Sequence, residues 1–112
     1  MASIRQNKIA ELIRREIGII LQKNSRTLCM GAMVTPTVVR VSPDLGVARV
    51  YVSIFAGPEP QKVLQSLKDG TGKLRYQLSQ VIKNQLRKTP ELIFYLDDSL
   101  DYAENIDRLL SD

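Results

Sequence analysis

The sequence predicts an α+β fold: one three-stranded sheet with helices packed on one of its faces. Three observations carry this. Apolar residues recur at helical spacing through the first 23 residues, and again on either side of a glycine-rich break at Gly70-Thr71-Gly72. A Val/Thr-rich stretch and an alternating stretch flank the turn Ser42-Pro43-Asp44-Leu45-Gly46. A short apolar run, Leu92 to Leu96, stands between Pro90 and the acidic Asp97-Asp98-Ser99.

Taken in order, the first helix runs from Ser3 to about Lys23, with Ile9, Leu12, Ile13, Ile17 and Ile20 on its core face. Ser3 suits an N-cap, and Glu11 and Arg15 stand at i,i+4 to pair on the solvent side. Asn24 to Gly31 reads as a loop. Thr35 to Val41 is a strand, and Pro36 confines it to an edge or to the strand's start. In the turn, proline presets φ and Gly46 supplies permissive backbone. Val47 to Phe55 then alternates, with Ala48, Val50, Val52 and Ile54 on one side and Arg49, Tyr51 and Ser53 on the other.

Gly57-Pro58-Glu59-Pro60 ends that strand and starts a helix whose stripe is Val63, Leu64 and Leu67. Asp69-Gly70-Thr71-Gly72 ends it. A new helix is expected from Lys73 to about Lys88, burying Leu74, Leu78, Val81, Ile82 and Leu86. Leu92 to Leu96 is the third strand. A last helix begins near Ser99, capped by Asp98 or Ser99, and buries Leu100, Ala103, Ile106, Leu109 and Leu110. The order is helix, strand, strand, helix, glycine break, helix, strand, helix. The connections are short, so residues 1–112 read as a single domain.

Composition narrows the chemistry. No window holds the roughly 18 apolar residues of a membrane helix. Charges at Arg5, Lys8, Glu11, Arg14, Arg15 and Glu16 argue against a signal-peptide core, so a cytoplasmic protein is the simplest expectation. Cys29 is the one cysteine and histidine is absent, which removes disulfides, zinc sites and the usual catalytic triads. No enzyme activity, metal or cofactor is expected. Asp97, Asp98 and Asp101 invite a magnesium reading, but capping a helix start explains them at less cost.

Charge is distributed unevenly. Residues 1–90 carry 15 Lys/Arg against 5 Asp/Glu, a net of +10. Residues 91–112 carry 1 against 7, a net of −6. The basic body is what a polyanion would meet. On the helix after the break, Lys73, Tyr76, Gln80, Lys83 and Arg87 cluster opposite Leu78 and Val81, a basic stripe holding an aromatic and no acid. Lysine and arginine neutralise phosphates, and tyrosine can stack on a base. The stripe starts at Gly70-Thr71-Gly72, where a helix N-terminus offers free N–H groups to a phosphate. Gly70, Thr71, Gly72, Lys73, Tyr76, Lys83, Arg87 and Lys88, with Arg5 and Lys8 on the first helix, are the candidate nucleic-acid contacts. Arg49 and Tyr51 are weaker candidates, to be covered by a helix or simply exposed.

The element order resembles that of a type II KH domain, an RNA-binding fold. Within it, Val38-Val39-Arg40-Val41-Ser42-Pro43-Asp44-Leu45 leading into Ala48-Arg49-Val50-Tyr51-Val52-Ser53 is similar to the ribosome-binding factor A family. So are Leu74-Arg75-Tyr76-Gln77-Leu78, Leu86-Arg87-Lys88-Thr89-Pro90-Glu91-Leu92-Ile93-Phe94, and Asp97-Asp98-Ser99. The resemblance implies an assembly factor for the small (30S) ribosomal subunit, acting on its 16S rRNA in late maturation, rRNA processing and cold adaptation. It implies no catalysis. A monomer is expected, and other assembly factors are further candidate partners. The family's Ala-x-Gly kink corresponds here to Gly70-Thr71-Gly72, so Gly70 stands where alanine is expected. Asn84-Gln85 reads as two extra residues ahead of Pro90. The rival class is a protein-binding adaptor whose basic surface is incidental.

Overall fold

Ser3 starts the first helix through a reciprocal cap. Its hydroxyl accepts from the Gln6 N–H at 3.1 Å, and the Gln6 side-chain oxygen accepts from the Ser3 N–H at 2.8 Å. The structure, a computed structural model, describes residues 3–97. Its elements are α1 (Ile4–Lys23), β1 (Met33–Val41), β2 (Val47–Phe55), α2 (Pro60–Asp69), α3 (Thr71–Ile82) and β3 (Glu91–Leu96). The last predicted helix, with Asp98, Ser99 and Asp101, lies outside the described residues.

The sheet order is β1-β2-β3. β1 and β2 pair antiparallel, while β2 and β3 pair parallel, so the chain between them must cross over. That crossover is α2 and α3. β1 is an edge strand, where Pro36 costs no ladder bond. The register slips between Pro36 and Val38, leaving Thr37 as the extra residue. This bulge reverses the side-chain phase. Val34 and Pro36 face the core before it, and Val39 and Val41 after it. Without it, Val38 and Arg40 would have turned inward.

The core lies between one sheet face and the three helices. Ile13, Ile17 and Leu21 from α1, Leu67 from α2, and Leu74, Leu78 and Ile82 from α3 meet Val50, Val52 and Phe94 from the sheet. Each such burial contributes about 1.5–3 kcal/mol. Buried Asn24 ends α1 and ties it to α3, its side-chain amide donating to Ile20 O at 2.7 Å and to Gln77 Oε1 at 2.9 Å.

Several expectations are corrected. α3 begins at Thr71 rather than Lys73, because Gly70 alone breaks the path from α2. It ends at Ile82 rather than near Lys88, so Lys83, Arg87 and Lys88 are not on the helix. The reason is tertiary. β3 must begin beside Val47, and a helix continued by six residues would carry the chain about 9 Å further along its axis. The chain instead turns at residues 83–85, with Leu86 still reaching the core. Val81 is 48% exposed, since Leu74, Leu78 and Ile82 supply the core stripe. Glu11 pairs with Arg14, and Arg15 with Glu16, rather than Glu11 with Arg15. In the hairpin turn the left-handed residue is Leu45 (φ 61°), not Gly46.

Candidate nucleic-acid interface

Four polar ties gather distant segments at the turn end of the β1–β2 hairpin. Ser42 Oγ accepts from the N–H groups of Gly46 (3.1 Å) and Val47 (3.0 Å) and donates to Asp44 Oδ1 (2.7 Å), which fixes the turn. The Gln6 side-chain amide donates to Val41 O at 2.9 Å, bringing the start of α1 to the end of β1. The Glu91 N–H donates to Gly46 O at 2.9 Å. The half-buried Arg75 guanidinium donates to Thr89 O (2.7 Å) and Pro90 O (3.2 Å), anchoring the connection that follows α3.

These ties enclose a depression of about 580 Å³. Arg5 borders it from α1, Asp44 to Gly46 from the turn, and Lys83, Arg87 and Lys88 from the connection. Asn84 and Gln85 also line it, from the turn that follows α3. The four cations are exposed and form no ion pair among the described residues. Asp44, the one acid lining it among the described residues, is already engaged. Its bond from the Ser42 hydroxyl, then the Gly46 N–H, and more weakly the Lys88 charge, hold the Asp44 carboxyl below its ordinary pKa. It stays ionised, and its Oδ1 serves the turn.

The remaining candidates lie apart from this depression. Gly70 is the one residue between α2 and α3, and α3 has no side-chain cap at its N-terminus and no acid in its first turn. Gly72 is exposed, and a methyl group added there would meet nothing within 4 Å. Backbone N–H groups in that first turn have no intrahelical partner. Thr71 is less available, because its hydroxyl is shared between Leu67 O (3.1 Å) and Lys68 O (2.7 Å). Gly70 also has a packing reason. A Cβ there would stand 2.5 Å from Leu28 Cδ2, so an alanine requires Leu28 to move. Lys73 and Tyr76 are exposed on α3, Tyr76 by 66%. Lys8 is exposed one turn beyond Arg5. The predicted single stripe is therefore two groups, one at the α2–α3 junction and one at the turn end.

Sequence reading missed Arg75, Gln6 and Asn24, which position the cations or their helices. Arg75 carried no signal of its own, since a half-buried arginine spending its donors on backbone carbonyls looks like any helix cation. Cys29 is buried, its thiol donates to Leu21 O at 3.5 Å, and burial raises its pKa, all of which disfavour a reactive thiolate. No cluster of three or more His, Cys, Asp or Glu fit to hold a metal occurs among the described residues. Asp97 accepts from the Thr37 hydroxyl across the sheet. No helix among the described residues is long and apolar enough to cross a membrane.

The helix-strand-strand-helix-kink-helix-strand order, with β3 parallel to β2, defines a type II KH-like α+β module. The cations gathered at its turn end are the surface a polyanion would meet. The chain belongs to the ribosome-binding factor A family, whose model, described as "Ribosome-binding factor A", matches residues 5–110. The ribosome-binding factor A of Cytophaga hutchinsonii is 45% identical over 111 residues, spanning 99% of this chain and 84% of that relative. The crystal structure of ribosome-binding factor A from Thermus thermophilus matches with a TM-score of 0.69 at 23% identity, over 81% of this chain and 94% of that one. A homology model of Thermus thermophilus ribosome-binding factor A, fitted into a cryo-EM map of a 30S complex, matches with a TM-score of 0.52 at 23% identity, over 73% of this chain and 96% of that one. At those identities the two structural likenesses bear on the fold alone.

Proposed function

We propose that this chain is a cytoplasmic assembly factor, built as one domain, that binds the small ribosomal subunit and its 16S rRNA during late maturation without catalysing a reaction. The observation that carries the reading is the convergence of Arg5, Lys83, Arg87 and Lys88 on one depression whose single carboxylate is bonded into its own turn. Phosphates on folded RNA would take the place of the missing acids. Lys8, Lys73 and Tyr76 would extend the contact along α1 and α3, and the first turn of α3, from Gly70 to Gly72, would receive a further phosphate. Backbone contacts should dominate over base reading, because the family's kink stands where a KH domain clamps single strands. Membership of the ribosome-binding factor A family supports the choice of partner.

Co-sedimentation with purified small subunits tests it. Binding by the wild-type chain that persists on protein-stripped 16S rRNA is the expected result. A partner retained after nuclease digestion of an extract, with no affinity for the subunit, would favour the adaptor reading instead.

A further inference from the structure

The sheet face turned away from the helices carries its own pattern. Register places Arg40, Arg49 and Ile93 in one row across the three strands, and Val38, Tyr51 and Tyr95 in the next. Arg40 and Arg49 are direct cross-strand partners, both exposed, with no ion pair among the described residues. Like charges placed opposite each other destabilise a sheet, so the fold gains nothing from this pair. The Thr37 bulge is what turns Arg40 outward to face Arg49. In the adjoining row the Tyr51 and Tyr95 rings stack at 5.2 Å with 23° between their planes, and Tyr95 keeps 38% of its surface exposed. A cleft of about 370 Å³ runs along Arg40, Arg49 and Ile93 to Ser42 and Pro43 of the hairpin turn.

We propose that this open face is a second nucleic-acid site, taking a single-stranded RNA segment. A phosphate would sit between Arg40 and Arg49, and a base would stack on the Tyr51–Tyr95 pair one row away. Two facing guanidinium groups suit any anion, an acidic peptide included. The stacked aromatic platform beside them favours a nucleic acid, because every base has a π-face to lay on it. The site is separate from the cationic depression, yet both adjoin one turn. Ser42 and Pro43 border the open-face cleft, and Asp44 to Gly46 border the depression. One RNA strand can therefore pass round the hairpin tip from folded RNA on one side to the open face on the other. The inference stands independently of the subunit assignment.

The test uses the full chain and a photoreactive uridine decamer. The chain has 4 tyrosines and no tryptophan, so its intrinsic emission reports directly on tyrosine. Expected are tyrosine quenching on titration and cross-links mapping to Tyr51 or Tyr95. Tyr95→Leu, which keeps an apolar side chain, should weaken the decamer about fivefold or more, the usual effect of losing one stacked base. R40Q/R49Q, at two exposed positions with no ion pair among the described residues, should weaken it without lowering the melting temperature. Wild-type affinity in R40Q/R49Q overturns the proposal. So do cross-links confined to the Lys83–Lys88 segment. Quenching that appears only after residues 98–112 are removed also overturns it, since the face would then belong to the chain's own acidic end. A chain that cross-links at Tyr95 yet ignores the small subunit supports this site and removes the subunit reading.

Discussion

At its turn end the β1–β2 hairpin is held by hydrogen bonds from Gln6 to Val41, from Glu91 to Gly46 and from the Gly46 N–H to Ser42, while Arg75 ties down the adjoining connection. At its open end it is held by close packing. Gly57 lies so close to Ala32 that an added Cβ would stand 2.6 Å from the Ala32 Cβ and 2.9 Å from its Cα. Gly18 faces Pro36, and the groove of about 500 Å³ between α1 and β1 has no charged side chain among the described residues on its walls. The turn end, in contrast, presents four cations and one committed acid. The difference teaches where stability and binding reside. Directional polar ties hold charges apart in the open, at a cost that only a ligand offsets. Close apolar packing holds the fold and leaves nothing for an anion to recognise.

The largest effect should come from reversing charge at the turn end. K83E/R87E is expected to lower small-subunit affinity by roughly a hundredfold or more, taking about 1.5 kcal/mol for each cation–phosphate pairing broken. Its melting curve should match wild type, because both residues are exposed and form no ion pair among the described residues. The opposite end should behave in reverse. Gly57→Ala forces a methyl into backbone and should cost about 1–3 kcal/mol of stability, read by urea unfolding, while the folded fraction binds normally.

Arg75→Ala crosses the divide. It leaves two carbonyls without their charged donor and loosens the segment that holds Arg87 and Lys88. Stability should fall by about 1–3 kcal/mol and binding should fall with it, which distinguishes a positioning residue from one that touches RNA. Arg75→Lys should restore little, because a single ammonium cannot reproduce the guanidinium's two-carbonyl fork.

Gly72→Ala separates the two purposes at the α2–α3 junction. The added methyl meets open space, so helix propensity should raise stability by up to about 1 kcal/mol. Subunit binding should weaken all the same, if phosphate approaches that backbone.

The smallest effect is at Asp44. Its folded pKa lies below its ordinary value of 3.8. Its contribution to stability is therefore complete above the unfolded pKa and lost as pH falls through the lowered folded value. Asp44→Asn should flatten the stability profile only below about pH 4, seen by acid titration.

Much of this contrast was legible in the sequence. The alternation of β2 as far as Val52, the Ser3 cap and the stripes of α1 and α2 report local periodicity and stand where periodicity put them, whereas Ser53 is buried and Ile54 only half-buried against the expected alternation. The end of α3 was not legible. Leu86 continues a helical spacing from Leu78 and Ile82, yet the pairing of Glu91 with Val47 requires the chain to turn back first. Pattern records which side chains are buried, not the path that buries them. The same limit hid the site's true shape. Lys73 to Arg87 reads as one stripe only while the helix lasts, whereas the depression unites Arg5 with Lys83 through hydrogen bonds that span 35 residues of sequence (Gln6 to Val41) and 14 (Arg75 to Thr89). The Thr37 bulge was also unseen, because Val38 and Val39 are equally apolar and composition does not say which one turns inward.

The most direct test of the central claim is the salt dependence of small-subunit binding for the wild-type chain beside K83E/R87E. If the turn end meets phosphates, log affinity should fall steeply with log salt for the wild type, and the slope should become shallower by about two for the double variant, one for each phosphate released from a cation. A flat wild-type response, or equal slopes for the two proteins, would contradict it.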